Sequence, residues 1–349
     1  MPSNMHWDDD EFASIERELT EDRRSRRKRK PKTRHQPKKS REEIISELAD
    51  ETGVAGGFEM TYSPGDNDHH ENQWLQDSLI SFFYEDLLVD VLTKVKGGKE
   101  ASVYLCAGHE SSGHRWIAAK VYRPRMFRNL RNDKMYREGR SAIGANGKEI
   151  NDKDWRALKA ITTGNQRGQA MTHTSWLMYE NKTLHDLYQA GASVPEPLGV
   201  SENAILMRYI GDEHAPAPTL NEVQIPQDEV EPLFKELMRN IDLMLQHGII
   251  HGDLSAYNIL YWEGELVLID FPQVVNIHHN QHARKILTRD VLRVCEYFQG
   301  LGLQVDGQAI ADRLWRAYGK ADANPDEVLI NVLEAVSFDD YEPDEDFDG

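Results

Sequence analysis

The chain has 349 residues, 59 acidic against 41 basic side chains, a net charge of −18, and 39% hydrophobic residues with only two cysteines, Cys106 and Cys295. Two distant cysteines in apolar settings exclude a disulfide framework or a cysteine zinc site, and no run of eighteen apolar residues is present to cross a membrane as a helix. The charge is segregated: residues 23–39 hold eleven Lys or Arg and no acid, which leaves about −29 for the remainder.

Residues 1–70 combine charge runs with Gly53, Gly56, Gly57, Pro64 and Gly65, and the expectation is a disordered basic tail with at most a short helix at 41–49. A run this basic repels itself and cannot bury a core. With no aromatic residue interleaved, it fits backbone contact with a polyanion such as RNA, and equally a solvated tail with no specific partner. The first twenty residues contain no apolar signal-peptide core, so the expected location is cytoplasmic, without a membrane partner. His69-His70 and the group His278, His279, His282 lack cysteine partners or an H-E-x-x-H frame, and neither is read as a metal site.

Order is expected to begin near Trp74. Leu75, Leu79, Phe82 and Phe83 recur at helical spacing, and Leu87 to Val95 then alternates into the turn Lys96-Gly-Gly98. Ala101–Ala107 and Arg115–Tyr122 read as an antiparallel hairpin. Within it, Ile117-Ala-Ala-Lys120 fits the V-A-I-K strand whose lysine pairs with the α- and β-phosphates of a nucleotide, which makes Lys120 a candidate. Residues 123–172, polar and glycine-rich, predict a long, partly mobile loop with a helical piece from Asp154 to Ile161. From Thr174, the residues Trp176, Leu177, Leu184, Leu187 and Tyr188 predict a helix ending at Gly191, and Glu180 on it is the candidate ion-pair partner of Lys120. Val194–Val200 and Ala204–Ile210 read as strands, with a hinge beside an adenine ring at Met207 to Ile210. Gln227–His247 is an amphipathic helix stopped by Gly248. Leu287–Phe298 predicts another, with two short helices before an acidic tail at 339–349.

The strongest chemical signal lies between these two helices. In His251-Gly-Asp-Leu-Ser-Ala-Tyr-Asn258, Asp253 and Asn258 are five residues apart, as in the H-R-D-x-x-x-x-N catalytic loop, and Leu268-Ile-Asp270 follows after a hairpin turn at Glu263-Gly264. Phosphoryl transfer asks for hard oxygen ligands for a divalent ion and a carboxylate facing the acceptor. Asn258 and Asp270 are the candidate metal ligands, and Asp253 and Asp270 the candidate catalytic acids.

Together these stretches resemble the RIO family of atypical serine/threonine protein kinases. The residues that carry the resemblance are Gly97-Gly-Lys-Glu-Ala-Ser-Val-Tyr104, Ile117 to Lys120, Trp176 with Glu180, Met207-Arg-Tyr-Ile-Gly211 with its Pro-rich sequel, His251 to Asn258, and Leu268 to Asp270. The resemblance implies an α+β, two-lobed, protein-kinase-like fold of minimal size: an N-terminal lobe over 71–211, a small helical C-terminal lobe over 212–338, and tails at 1–70 and 339–349. It implies ATP with magnesium or manganese as cofactors, bound through Gly98, Lys99, Glu100, Ala101, Ser102, Val103, Lys120, Glu180, Met207, Tyr209 and Ile210. It also implies serine autophosphorylation or protein-serine/threonine phosphorylation, or ATP hydrolysis through an aspartyl-phosphate at Asp270. Ribosomal RNA or small-subunit particles, met through the basic tail in ribosome biogenesis, are the implied partners, and the protein substrate stays open.

The chain departs from the pattern of typical protein kinases. Two adjacent glycines replace G-x-G-x-x-G, so the Ser102 hydroxyl is expected to help hold phosphate. Gly252 stands where H-R-D has Arg, and Pro272 stands where D-F-G has Gly, which argues against activation-loop docking and a backbone flip. Two other readings remain open on sequence: a nucleotide-switched RNA or ribosome-assembly factor with little kinase activity, and a small-molecule kinase of the aminoglycoside or choline type, which shares H-G-D-x-x-x-x-N.

Overall fold

The computed structural model describes residues 60–63, 69–98, 100–123, 136, 138, 140, 142–144, 147–151, 154–163 and 166–319. The acidic tail at 339–349, the helix at 41–49, most of the tail expected over 1–70, Lys99 and the side chains of His69 and His70 lie outside the described residues. Within that expected tail the Tyr62 amide donates to the Val91 carbonyl at 2.8 Å and a helix opens at His69, so order begins ahead of the expected Trp74.

Helix α1 (His69–Tyr84) leads into strands β1 (Leu88–Gly97), β2 (Ala101–Gly108) and β3 (Trp116–Tyr122). With β4 (Pro197–Val200) and β5 (Ala204–Arg208) they form one antiparallel sheet in the order β1-β2-β3-β5-β4. Alternation decides what each face does. Tyr104 and Cys106 of β2, with Ile117 and Ala119 of β3, pack on Leu75, Leu79 and Phe82 of α1. Val103, Leu105 and Ala118 point to the other face, together with Tyr209. The strand expected from Val194 starts only at Pro197, because Pro195 and Pro197 lack the amide donor that a ladder needs.

The stretch expected as a loop over 123–172 is in part helical. Helix α2 (Trp155–Thr163) matches the expected piece, and α3 runs Gln166–Gln189, eight residues ahead of the expected start at Thr174. Gly168 caused the error. A Cβ there would come within 1.8 Å of the Ala160 carbonyl oxygen, so this glycine allows two helices to touch and does not break one. Tyr188 is half-exposed and stands apart from the buried stripe of Trp176, Leu177, Leu184 and Leu187.

The second lobe is built on α4 (Gln227–Gln246), α5 (Ala283–Gly300) and α6 (Gly307–Tyr318). Their apolar faces enclose one core that includes Leu237, Phe234, Val291 and Phe298. Helix α5 begins four residues before the expected Leu287; α6 is one of the two short helices expected, and the other falls outside the described residues. Against the helices lie a two-residue pair, β6 (Ile249–Ile250) with β9 (Val275–Asn276), and the hairpin β7 (Ile259–Trp262) with β8 (Glu265–Leu268). That hairpin turns through Glu263 at φ 52° and Gly264 at φ 85°, the left-handed pair that a two-residue turn requires. The six α-helices and mostly antiparallel strands among the described residues make the α+β class expected from sequence. None of these helices is long and apolar enough to cross a membrane.

Candidate active site

The alternation of β3 that buries Ala119 on one face turns Lys120 into the groove between the lobes. Its Nζ lies 2.6 Å from Glu180 Oε1 and 2.6 Å from Asp270 Oδ1, joining β3, α3 and the turn after β8 at one cation. The Tyr122 hydroxyl donates to Glu180 Oε2 at 2.6 Å, so both oxygens of this buried carboxylate are engaged. Burial alone would push the Lys120 ammonium toward neutrality, but the charges of Asp270 and then Glu180 outweigh it and hold the pKa well above the usual lysine value. For Asp270, burial works upward and the facing Lys120 charge more than reverses it, so its carboxyl is held below the ordinary range.

Asp270 adopts φ 71°, a left-handed conformation that non-glycine residues hold only where surroundings impose it. Just before it, the Ile269 amide donates to the Asn258 carbonyl at 3.0 Å, which sets Asn258 and Asp270 at neighbouring corners of the hairpin base. The Asn258 side-chain amide donates to the Asp253 backbone oxygen at 2.8 Å and more weakly to Asp253 Oδ2 at 3.3 Å, leaving its own oxygen as acceptor. His251 bonds the Ile269 carbonyl through Nε2 at 3.1 Å and packs against the Phe271 ring at 4.8 Å.

Gly252, which the sequence comparison treats as a missing arginine, has a positive structural cause. Its φ is 84°, and a Cβ would lie 2.1 Å from the Gln273 carbonyl oxygen. Its amide donates to Asp290 Oδ2 at 2.7 Å, and its carbonyl accepts from the Arg289 guanidinium. Asp253 next to it pairs with Arg293 Nη1 at 3.1 Å. Burial and then the nearby Asp290 charge push the Asp253 carboxyl above its usual range, against the opposing pull of Arg289 and Arg293.

Lys120, Glu180, Asn258 and Asp270 border a cleft of about 610 Å³. Of the candidates from sequence, Gly98, Glu100, Ala101, Val103, Lys120, Glu180, Met207, Tyr209, Ile210, Asn258 and Asp270 line it. Ser102 does not: alternation along β2 buries it on the Tyr104 side of the sheet, so the expected phosphate contact is corrected here. Asp253 stands outside the lining, behind Asn258, with its side chain 39% exposed. Sequence reasoning missed the apolar walls from Ala118, Ile205, Leu260 and Ile269, and also, outside the cleft lining, Arg289, Asp290 and Arg293 of α5 against Gly252 and Asp253. Nothing local marks those three, because they meet the catalytic loop only through packing about forty residues away in the chain.

Among the described residues no group of three or more His, Cys, Asp or Glu could hold a metal by itself. Asn258 and Asp270 offer two hard oxygen ligands on one cleft, which suits a magnesium-like ion that completes its shell with water and phosphate oxygens.

Comparison with known proteins places the chain in a family. The family profile of the RIO domain matches residues 103–310. The RIO-type serine/threonine-protein kinase Rio1 of Haloferax volcanii is 29% identical over 265 residues, which cover 72% of this chain and 80% of that protein. The protein of the same description from Thermoplasma acidophilum is 32% identical over 137 residues, 39% of this chain and 70% of the relative. Serine/threonine-protein kinase RIO1 of Homo sapiens is 28% identical over 213 residues, 60% of this chain but 34% of the human protein. The profile spans both the sheet that carries Lys120 and the loops that carry Asp253 and Asp270, and with it the chain belongs to the RIO domain family as an enzyme of the RIO serine/threonine-kinase type.

Proposed function

We propose that the enzyme binds ATP with magnesium or manganese in the cleft and transfers the γ-phosphoryl group to a serine or threonine hydroxyl, its own or that of another protein, with hydrolysis through an aspartyl-phosphate at Asp270 as the competing outcome. What supports this reading above all is the convergence of Lys120, Glu180, Asn258 and Asp270 on one cavity. The apolar slot of Ala118, Ile205, Met207 and Leu260 takes the adenine, beside the chain segment Tyr209–Ile210. Lys120, held by Glu180, meets the phosphates. Asn258 and Asp270 hold the divalent ion, which neutralises charge on the transferred group. Asp253, outside the nucleotide cavity and with a raised pKa, orients the acceptor hydroxyl and takes its proton.

Asp253→Ala is expected to abolish turnover while ATP still binds, and equal phosphoryl transfer or hydrolysis by this variant and wild type would refute the assignment. Mass spectrometry after incubation with ATP and magnesium separates the two outcomes, since serine phosphate survives neutral hydroxylamine, which cleaves an acyl phosphate on Asp270.

A second reading is favoured by the basic run at 23–39: a nucleotide-switched factor that contacts ribosomal RNA or small-subunit particles in the cytoplasm. Removal of residues 1–40 is then expected to weaken RNA association, with a shallower dependence on salt. An unchanged affinity would dispose of this reading.

A further inference from the structure

The stretch between β3 and α2 reaches into the machinery described above. Arg140 donates from Nε to the Val274 carbonyl at 2.9 Å and from Nη2 to the Pro272 carbonyl at 2.9 Å, and the same Nη2 also donates to Val274. Its guanidinium carbon sits 4.6 Å from the centre of the Tyr179 ring, next along α3 from Glu180. Pro272 and Val274 follow Asp270 by two and four residues. The carbonyl between them, that of Gln273, rests against Gly252 on the catalytic loop. The turn after Asp270 is thus wedged between Gly252 on one side and Arg140 on the other.

The same stretch is pinned to the lower lobe at two further points. Arg289, which donates to the Gly252 carbonyl, also donates from Nη1 to the Tyr136 hydroxyl at 3.1 Å. Glu138 accepts from Gln281 Nε2 at 3.0 Å.

We propose that Arg140 is a positioning residue for Asp270, fixing the turn that presents its carboxylate to the divalent ion. The inference rests on the metal-binding role proposed for Asp270. Its physical ground is the left-handed backbone of Asp270, which persists only if neighbouring structure over-determines it. Two anchors do so: the Lys120 ion pair on the side chain and the Arg140 fork on the following carbonyls. When phosphates share Lys120, the first anchor weakens and the fork carries more of the constraint. A planar guanidinium presents a fixed fork to two carbonyls while stacked on a ring, a geometry that the compact, freely rotating ammonium of lysine does not hold.

The test uses the full chain as wild type, Arg140→Ala and Arg140→Lys, each with and without added guanidinium ion. Manganese binding in the presence of a non-hydrolysable ATP analogue is read by electron paramagnetic resonance, next to metal-free nucleotide affinity and thermal unfolding. Arg140→Ala is expected to weaken manganese binding by about 10- to 100-fold, the usual cost of losing an outer partner of a metal ligand, with metal-free nucleotide affinity unchanged. Arg140→Lys recovers little, whereas guanidinium in the buffer recovers part of the loss in Arg140→Ala. Manganese affinity equal to wild type in the alanine variant would overturn the proposal, as would parallel losses of metal-free nucleotide affinity and thermal stability with no rescue by guanidinium. Wild-type protein that binds no manganese with the analogue would instead overturn the metal-site reading beneath it.

Discussion

Asp253 lies among charges of both signs, and its protonation carries the clearest residue-scale prediction. Burial and Asp290 raise its pKa, while Arg289 and Arg293 lower it. As the proposed proton acceptor it must be ionised, so kcat/KM should fall as pH drops through a value above the ordinary carboxylate range. Arg293→Ala removes a cation that lowers the pKa and should move this acid limb to higher pH; Asp290→Asn removes an anion that raises it and should move the limb lower. Rate profiles against pH at fixed ionic strength check both, and movement of the two variants in the same direction would count against Asp253 as the group observed. Asp253, Asn258 and Asp270 were legible in sequence because their spacing is local. Arg293 and Asp290 were not, since their relation to Asp253 exists only once α5 packs under the catalytic loop.

At the scale of elements, glycines were read well where they end an element and poorly where they permit contact. Gly248 and Gly264 have φ of 71° and 85° and mark the turns expected of them. Gly168 lies inside α3, and its meaning depends on α2, whose Ala160 carbonyl comes so close that no side chain fits. Gly168→Ala should therefore force the two helices apart and cost about 1–3 kcal/mol, as overpacking commonly does. Urea denaturation measures this, and a variant as stable as wild type would show that the contact yields freely. Gly252→Ala combines a left-handed backbone with a clash on Gln273 and should cost about 1–3 kcal/mol from strain alone, with loss of turnover, measured on the same denaturation curves. Alternation along β2 and β3 was legible, yet which parity faced the cleft was not. Ser102 fell on the wrong side because the sheet's inner face is chosen by α1, which packs on β2 but lies elsewhere in the chain.

For the whole molecule, one apolar core lies between α1 and the sheet and a second gathers the helices of the second lobe with Leu184, Leu187 and Val194, and the Lys120–Asp270 pair adds a polar bridge between the sheet and the turn after β8. Asp270 has a depressed folded pKa, so the pair stabilises the protein above the unfolded carboxylate value, about 4, and this stabilisation is lost as pH falls through the lower folded value. Because the Asp270 side chain is 44% exposed, Asp270→Asn should cost only roughly 1 kcal/mol at neutral pH. Its thermal stability should also change less than that of wild type through the acid window. Calorimetry across pH tests this, and parallel curves for the two proteins would remove the bridge from the account.

The sequence by itself determined the family and the α+β class and singled out the candidate lysine, asparagine and acids, because their motifs depend on short spacing within one strand, turn or helix. Tertiary structure alone decided that Lys120 reaches two carboxylates at once, that Ser102 turns away, that Gly252 is required by a carbonyl twenty-one residues later, and that Arg140 grips the turn after Asp270. Those relations join residues distant in the chain, and only the packing of the core brings them within hydrogen-bond distance.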